Sequence, residues 1–279
     1  MCELVAMSAR YPTNLTLSLQ ALTEHSNSGG HSDGWGVAYY NDRDAWRVRD
    51  TKAAYASPWA QLLSEKGFTS RLAIAHIRKA TRGAVVLENT QPFEREMGGR
   101  IHVFTHNGDL PGVESVCQNA NGRYRPVGET DSEEVFCQLM NRLDAAGAMT
   151  GSVDFETKWH IFRNLCDELR SLGPANFLYG DSEYLFVHGN RRTQNDCEVR
   201  PPGLHWLCRE CRQESEAGFS SKAIATRDLP PDSPELQRVV IVASVPLSDE
   251  PWSALDEGET LAIRDGRLVA RDVPGATGT

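Results

Sequence analysis

Cysteine at position 2 stands directly behind the initiator methionine. Its side chain is small enough for that methionine to be removed, and the residue left at the start then carries a thiol and a free α-amine on one carbon. The thiolate is the reactive form, and an unperturbed thiol with a pKa of about 8.5 is little ionised at neutral pH. An α-amine, titrating near ~7.7–8.0, can accept the thiol proton and later return one to a leaving group. The competing reading is a small apolar side chain in a first strand, and position alone favours that reading.

Three further segments supply what such a nucleophile would need. His106-Asn107-Gly108 follows an apolar run. An Asn side-chain amide together with the backbone N–H of the next glycine makes a two-donor oxyanion hole, and glycine permits close approach. Taken alone, the same tripeptide reads better as a strand-ending turn. Arg78 lies at the end of the apolar run 72–77, ahead of a polar loop ending in Gly83. Its guanidinium can clamp a carboxylate through two parallel hydrogen bonds, and Thr81 adds a hydroxyl; in isolation an ordinary surface ion pair is the stronger reading for Arg78. Asp131 sits at the start of a helical pattern, where it could pair with an ammonium group, or where Thr130 or Asp131 could simply cap the helix. A carboxylate clamp plus an ammonium partner is what an α-amino-acid substrate demands.

The elements that must position these residues follow from hydrophobic periodicity. Strands are expected at 4–8, 37–40, 46–49, 70–78 and 101–105, with a hairpin turn at 41–44. Helical spacing marks 15–25, 58–66, 131–146 (Val135, Phe136, Leu139, Met140, Leu143) and 155–172 (Trp159, Phe162, Leu165, Leu169). After that come strands alone, at 176–180, 184–189, 204–209, 238–245, 260–264 and 268–271. Many strands with few helices grouped mid-chain predict a layered α+β architecture. A single domain is expected over 1–273, with 274–279 a flexible tail.

In order along the chain, Cys2, HSDGWG (31–36), AHIRKATRG (75–83), ENTQPF (88–93), FTHNGDL (104–110) and GETDSE (128–133) resemble the class II glutamine amidotransferases, members of the N-terminal nucleophile hydrolases. IVASVPL (241–247), Pro251-Trp252 and Gly258-Glu259 extend the likeness toward the stand-alone YafJ-type branch, which includes relatives that cleave γ-glutamyl compounds. The resemblance implies a four-layer αββα sandwich. It implies that Cys2 is the nucleophile with its own α-amine as base, and that Asn107 and Gly108 form the oxyanion hole. It further implies that Arg78 clamps the glutamine α-carboxylate, that Asp131 pairs with the α-amine close to Gly108, and that Thr81 lines the pocket. Two departures stand out: Lys79 follows the clamp arginine where some synthase members have an aromatic residue, and no acceptor site for ammonia is legible.

The expected function is hydrolysis of the glutamine side-chain amide through a γ-glutamyl thioester, releasing ammonia and then glutamate. The alternatives are the same chemistry on γ-glutamyl peptides or thiol conjugates, or a non-catalytic binding protein if Met1 is retained. Glutamine or a γ-glutamyl compound is the expected partner, with an ammonia-accepting synthetase as a candidate second one. The chain carries a net charge of −9, which argues against a nucleic-acid partner. No apolar stretch approaches the roughly 18–20 residues of a membrane span. Seven scattered cysteines without a signal peptide point to reduced thiols and a cytoplasmic location. No cofactor and no metal are expected. Cys208-Arg-Glu-Cys211 lacks the second half of a zinc site, and His31 with Asp33 is read as wall beside Cys2. His76 and His106 are read as hydrogen-bonded structural residues.

Overall fold

Side-chain alternation in the first strand sets the layering. In β1 (Glu3–Asn14), Leu4 and Ala6 face one way, while Val5, Met7 and Ala9 face the other, and both sets are buried. A strand apolar on both faces needs a packed layer on each side. The structure, a computed structural model, describes residues 2–14, 32–80, 82–118, 122–148, 153–194, 196–211, 220–221, 224–225 and 236–275.

Along the chain, β1 is followed by the hairpin β2 (Trp35–Asn41) and β3 (Asp44–Asp50), helix α1 (Pro58–Lys66), β4 (Thr69–Ile77), β5 (Phe93–Met97) and β6 (Arg100–Gly108). Helices α2 (Asp131–Ala145) and α3 (Phe155–Leu169) come next. They lead into β7 (Ala175–Gly180), β8 (Leu185–Gly189), β9 (Arg192–Thr193), β10 (Val199–Arg200) and β11 (His205–Cys211). The short strands β12 (Ser220–Ser221) and β13 (Ile224–Ala225), then β14 (Gln237–Ala243), β15 (Ser253–Ala254), β16 (Glu259–Arg264) and β17 (Arg267–Asp272), complete the described elements.

Two antiparallel sheets result. The first runs β15-β11-β14-β1-β4-β2-β3, and the second β17-β16-β8-β7-β6-β5. Between them lies a core of Leu4, Ala6, Ile74, Val103, Leu178, Val187, Val242 and Leu261. The outer face of the first sheet (Val5, Met7, Val37, Ala75, Ile241) buries Leu63 of α1. The outer face of the second (Phe104, Phe177, Tyr179, Phe186) packs on Phe136, Leu139, Phe162 and Leu165 of α2 and α3. Helix, sheet, sheet, helix is the αββα order; the strands after α3 are divided between both sheets, except β9 and β10, which pair with each other in a two-stranded ribbon.

Several elements extend beyond the sequence pattern. β1 continues to Asn14, past a register irregularity between Ser8 and Thr13. There the Gln237 side-chain amide takes over the ladder bonds: its Oε1 accepts from Tyr11 N at 3.1 Å, and its Nε2 donates to Tyr11 O at 3.1 Å. β5 is not expected from the alternation of Phe93-Glu-Arg-Glu-Met97, which is short and half charged. The two-residue turn Gly98-Gly99, both with positive φ, folds it onto β6. β6 runs on through Asn107 and Gly108, paired with Asn176 and Ala175, so the tripeptide is strand and not a turn. Helix α3 ends at Leu169, three residues short of the expected end. The helix expected at 15–25, and residues His31, Thr81 and 229–234, lie outside the described residues.

Phe136 of α2 is fully buried and stacks on Phe104 of β6, with ring centroids 5.4 Å apart. Phe136→Ala is therefore expected to cost about 3–5 kcal/mol of stability by opening the helix–sheet core. Urea unfolding monitored by circular dichroism measures this.

Candidate active site

The period of two that sorts the cores also sorts the site. Cys2 shares the parity of Leu4 and Ala6, and Asn107 that of Val103, so both belong to the inner faces, one from each sheet. Arg78 follows β4 on the parity of Leu72 and Ile74. All three lie at the same end of the sandwich, because β1 starts there while β4 and β6 end there.

Across that end, Asn107 Nδ2 donates to the Cys2 carbonyl oxygen at 2.6 Å and to Ser244 Oγ at 3.3 Å. The Cys2 thiol lies 3.4 Å from Lys79 O and accepts from Lys79 N at 3.3 Å. Cys2 is half-buried, and desolvation raises its thiol pKa; the Lys79 N–H and the Arg78 charge pull the other way. Asn107 is fully buried, its carbonyl accepts from Asn176 Nδ2 at 2.8 Å, and its Oδ1 has no hydrogen-bond partner.

Gly108, on the opposite parity, turns its missing side chain toward the helices. A Cβ there would lie 1.8 Å from Pro174 O and 2.5 Å from His106 Nε2, so no other residue fits. His106 Nδ1 lies 2.9 Å from Ser132 Oγ, and burial keeps its imidazole below the usual range against the pull of Asp131. His106 is thus a packed structural residue, as expected from its place at a strand end.

Arg78 is buried, and its guanidinium is held by backbone carbonyls of its own loop. Nη1 donates to Ala84 O at 2.9 Å; Nη2 donates to Arg82 O at 2.9 Å and Gly83 O at 3.2 Å. Among the described residues it forms no ion pair. Asp33 anchors the same loop by accepting from Ala80 N at 2.8 Å. Thr130 is the cap of α2, its hydroxyl accepting from Glu133 N at 3.3 Å. That leaves Asp131 inside the first turn, where its carboxylate accepts from Leu110 N at 2.9 Å and Ser132 N at 2.8 Å.

A cavity of about 340 Å³ opens over the thiol, lined by Cys2, Lys79, Asn107, Gly108 and Asp109 at its base. Pro111, Leu172, Gly173, Pro174, Thr193 and Val199 form the remaining walls. Three of the residues singled out in the sequence, Cys2, Asn107 and Gly108, thus meet at one cavity. The side chains of Arg78 and Asp131 are instead engaged by neighbouring backbone, and Thr81 lies outside the described residues.

Residues not singled out in the sequence brace Cys2. Arg192 Nη2 pairs with Glu3 Oε1 at 2.9 Å while its Nη1 donates to Ser244 O at 2.7 Å, all buried. Ser244 Oγ in turn accepts from Leu4 N at 2.9 Å. The only sequence signal was Ser244, inside the IVASVPL motif; Arg192 stands in no motif. Among the described residues no group of side chains is disposed to hold a metal ion, and no helix is long and apolar enough to cross a membrane. Cys208 is an exposed free thiol.

Cys2 faces an Asn-Gly pair across an αββα sandwich, and the family model for class II glutamine amidotransferases matches residues 1–277. The chain belongs to that family. It is 35% identical over 269 residues to YafJ of Escherichia coli strain K12, covering 93% of this chain and 96% of that protein. It is 28% identical over 272 residues to a glutamine amidotransferase homologue of Haemophilus influenzae, covering 97% of this chain and 86% of the other. Among solved structures, a predicted glutamine amidotransferase from Pseudomonas aeruginosa superposes with a TM-score of 0.66 at 29% identity, over 96% of this chain and all of that one. Glutamine phosphoribosylpyrophosphate amidotransferase of Bacillus subtilis shares the fold, with a TM-score of 0.59 at 15% identity over 97% of this chain and 49% of its own.

Because Glu3 and Arg192 are both buried and paired, Arg192→Ala is expected to cost about 3–5 kcal/mol by leaving a lone carboxylate in the interior. The double variant with Glu3→Ala should recover part of that loss. Thermal and urea unfolding of the two variants provide the comparison.

Proposed function

We propose that this protein hydrolyses the side-chain amide of glutamine, with Cys2 as nucleophile once Met1 has been removed. The observation that carries the reading is Asn107 Nδ2 standing 2.6 Å from the Cys2 carbonyl, with Gly108 beside it at the same cavity. The Cys2 sulfur attacks the amide carbon as its proton passes to the α-amine. The oxyanion that forms takes the Asn107 N–H now resting on Ser244 Oγ at 3.3 Å, together with a Gly108 N–H. Ammonia leaves with the proton from the α-ammonium, and water then splits the γ-glutamyl thioester to glutamate and free thiol.

Arg78 and Asp131 are the groups suited to the amino-acid head. A substrate carboxylate would displace the carbonyls of Arg82, Gly83 and Ala84 from the guanidinium, and a charged acceptor makes the stronger bond. The Asp131 carboxylate, already holding two backbone N–H groups, keeps capacity among its roughly four lone-pair positions for an ammonium.

Intact mass should show a chain lacking Met1. Cys2→Ala should form no glutamate from glutamine while keeping the native circular dichroism spectrum; continued glutamate release would overturn the mechanism. Asn107→Ala should lower kcat by roughly 10²–10³, the usual cost of one oxyanion donor.

The raised thiol pKa predicts a pH dependence. With the pKa above that of free cysteine, the thiolate fraction is smaller at neutral pH and keeps growing where free cysteine, at about 8.5, has begun to level off. In the chain that retains Met1, iodoacetamide labelling of Cys2, followed by peptide mapping, should therefore be slower than that of free cysteine at pH 7 and still be rising above pH ~9.

A further inference from the structure

Two chemically distinct sets of residues line the cavity over Cys2. One is polar: the thiol, Asn107, Lys79 and Asp109. The other is apolar, Pro111, Leu172, Pro174 and Val199, with Thr193 beside them. Val199 is 51% exposed, and Pro111 also faces solvent, so apolar surface is left open at the mouth of the site. Neither Arg78 nor Asp131 lines these walls.

An ammonia molecule needs about the volume of a water, roughly 30 Å³. The cavity is about 340 Å³, within the range of sites that hold whole small molecules. The charged glutamyl head would lose hydration against Pro111, Leu172, Pro174 and Val199 without gaining a partner. What those walls can receive is an apolar group attached on the leaving side of the amide.

We infer that the preferred substrates are γ-glutamyl amides of apolar amines, with the amine's alkyl or aryl group lying against Leu172, Pro174 and Val199. This rests on the reading of Cys2 as nucleophile toward a γ-glutamyl amide. The thiolate forms the S–C bond, the C–N bond breaks, and the amine departs as R–NH2 with the proton relayed through the α-amine. Water then adds to the thioester, yielding glutamate and returning the proton to sulfur. No oxidant or reductant enters.

The test uses the full mature chain with glutamine, γ-glutamylglycine, γ-glutamyl-n-butylamide and γ-glutamylanilide, following glutamate release. The expected result is a kcat/KM for the butylamide and anilide at least about tenfold above that for glutamine and γ-glutamylglycine, the scale set by filling an apolar pocket. Val199→Glu should lower the butylamide and anilide values at least about tenfold more than the glutamine value, raising KM more than it lowers kcat. Glutamine as the best substrate, or equal losses for all four amides in Val199→Glu, would overturn the inference and leave the nucleophile reading standing. Turnover of none of the four, with no acyl group trapped on Cys2, would overturn the nucleophile reading and this inference with it.

Discussion

The short hydrogen bond from Asn107 to the carbonyl of Cys2 ties the second sheet to the first at the place where Cys2 leads into β1. An amide buried completely between two sheets must find partners or lose free energy. Asn107 finds them on Cys2, Ser244 and Asn176, so its packing requirement fixes the spacing of the two inner faces. The Glu3–Arg192 pair and Ser244 hold the same strand from its other face and its other neighbour. The result is a thiol whose position follows from sheet geometry and needs no flexible loop to place it.

Much of this was legible beforehand, and for identifiable reasons. Helix α1 was bounded by Pro58 at its start and Gly67 after its end, and α2 by its apolar stripe and acidic first turn. Strands with two buried faces announced themselves as apolar runs. β5 escaped because an edge strand with Glu94, Arg95 and Glu96 at its centre carries little apolar signal, though the Gly98-Gly99 pair beside it was a hairpin marker. The continuation of β1 past Ser8 escaped because a side chain more than two hundred residues away, Gln237, supplies the missing ladder bonds at Tyr11.

At the site, Cys2, Asn107 and Gly108 could be singled out because each is defined by a local motif. Arg192 and Glu3 could not, since a buried ion pair joining residues 189 apart leaves no local trace. Arg78 and Thr130 illustrate a different lesson. The surface ion pair favoured for Arg78 in isolation is replaced by three backbone carbonyls, and the helix cap falls to Thr130, freeing the neighbouring Asp131 from that role. Family membership follows from the whole chain, whereas the chemistry of the outer cavity walls is a property of this sequence.

β1 lies in the interior of its sheet, between β4 and β14, although it is made first and β14 among the last. Its pairing with Ile74 can form early, but its pairing with Val242 must wait for nearly the entire chain. Contacts of such long sequence separation slow folding. The ladder around the strand bearing the thiol therefore closes, and Asn107 gains the Ser244 hydroxyl, only once β14 has been added to the sheet.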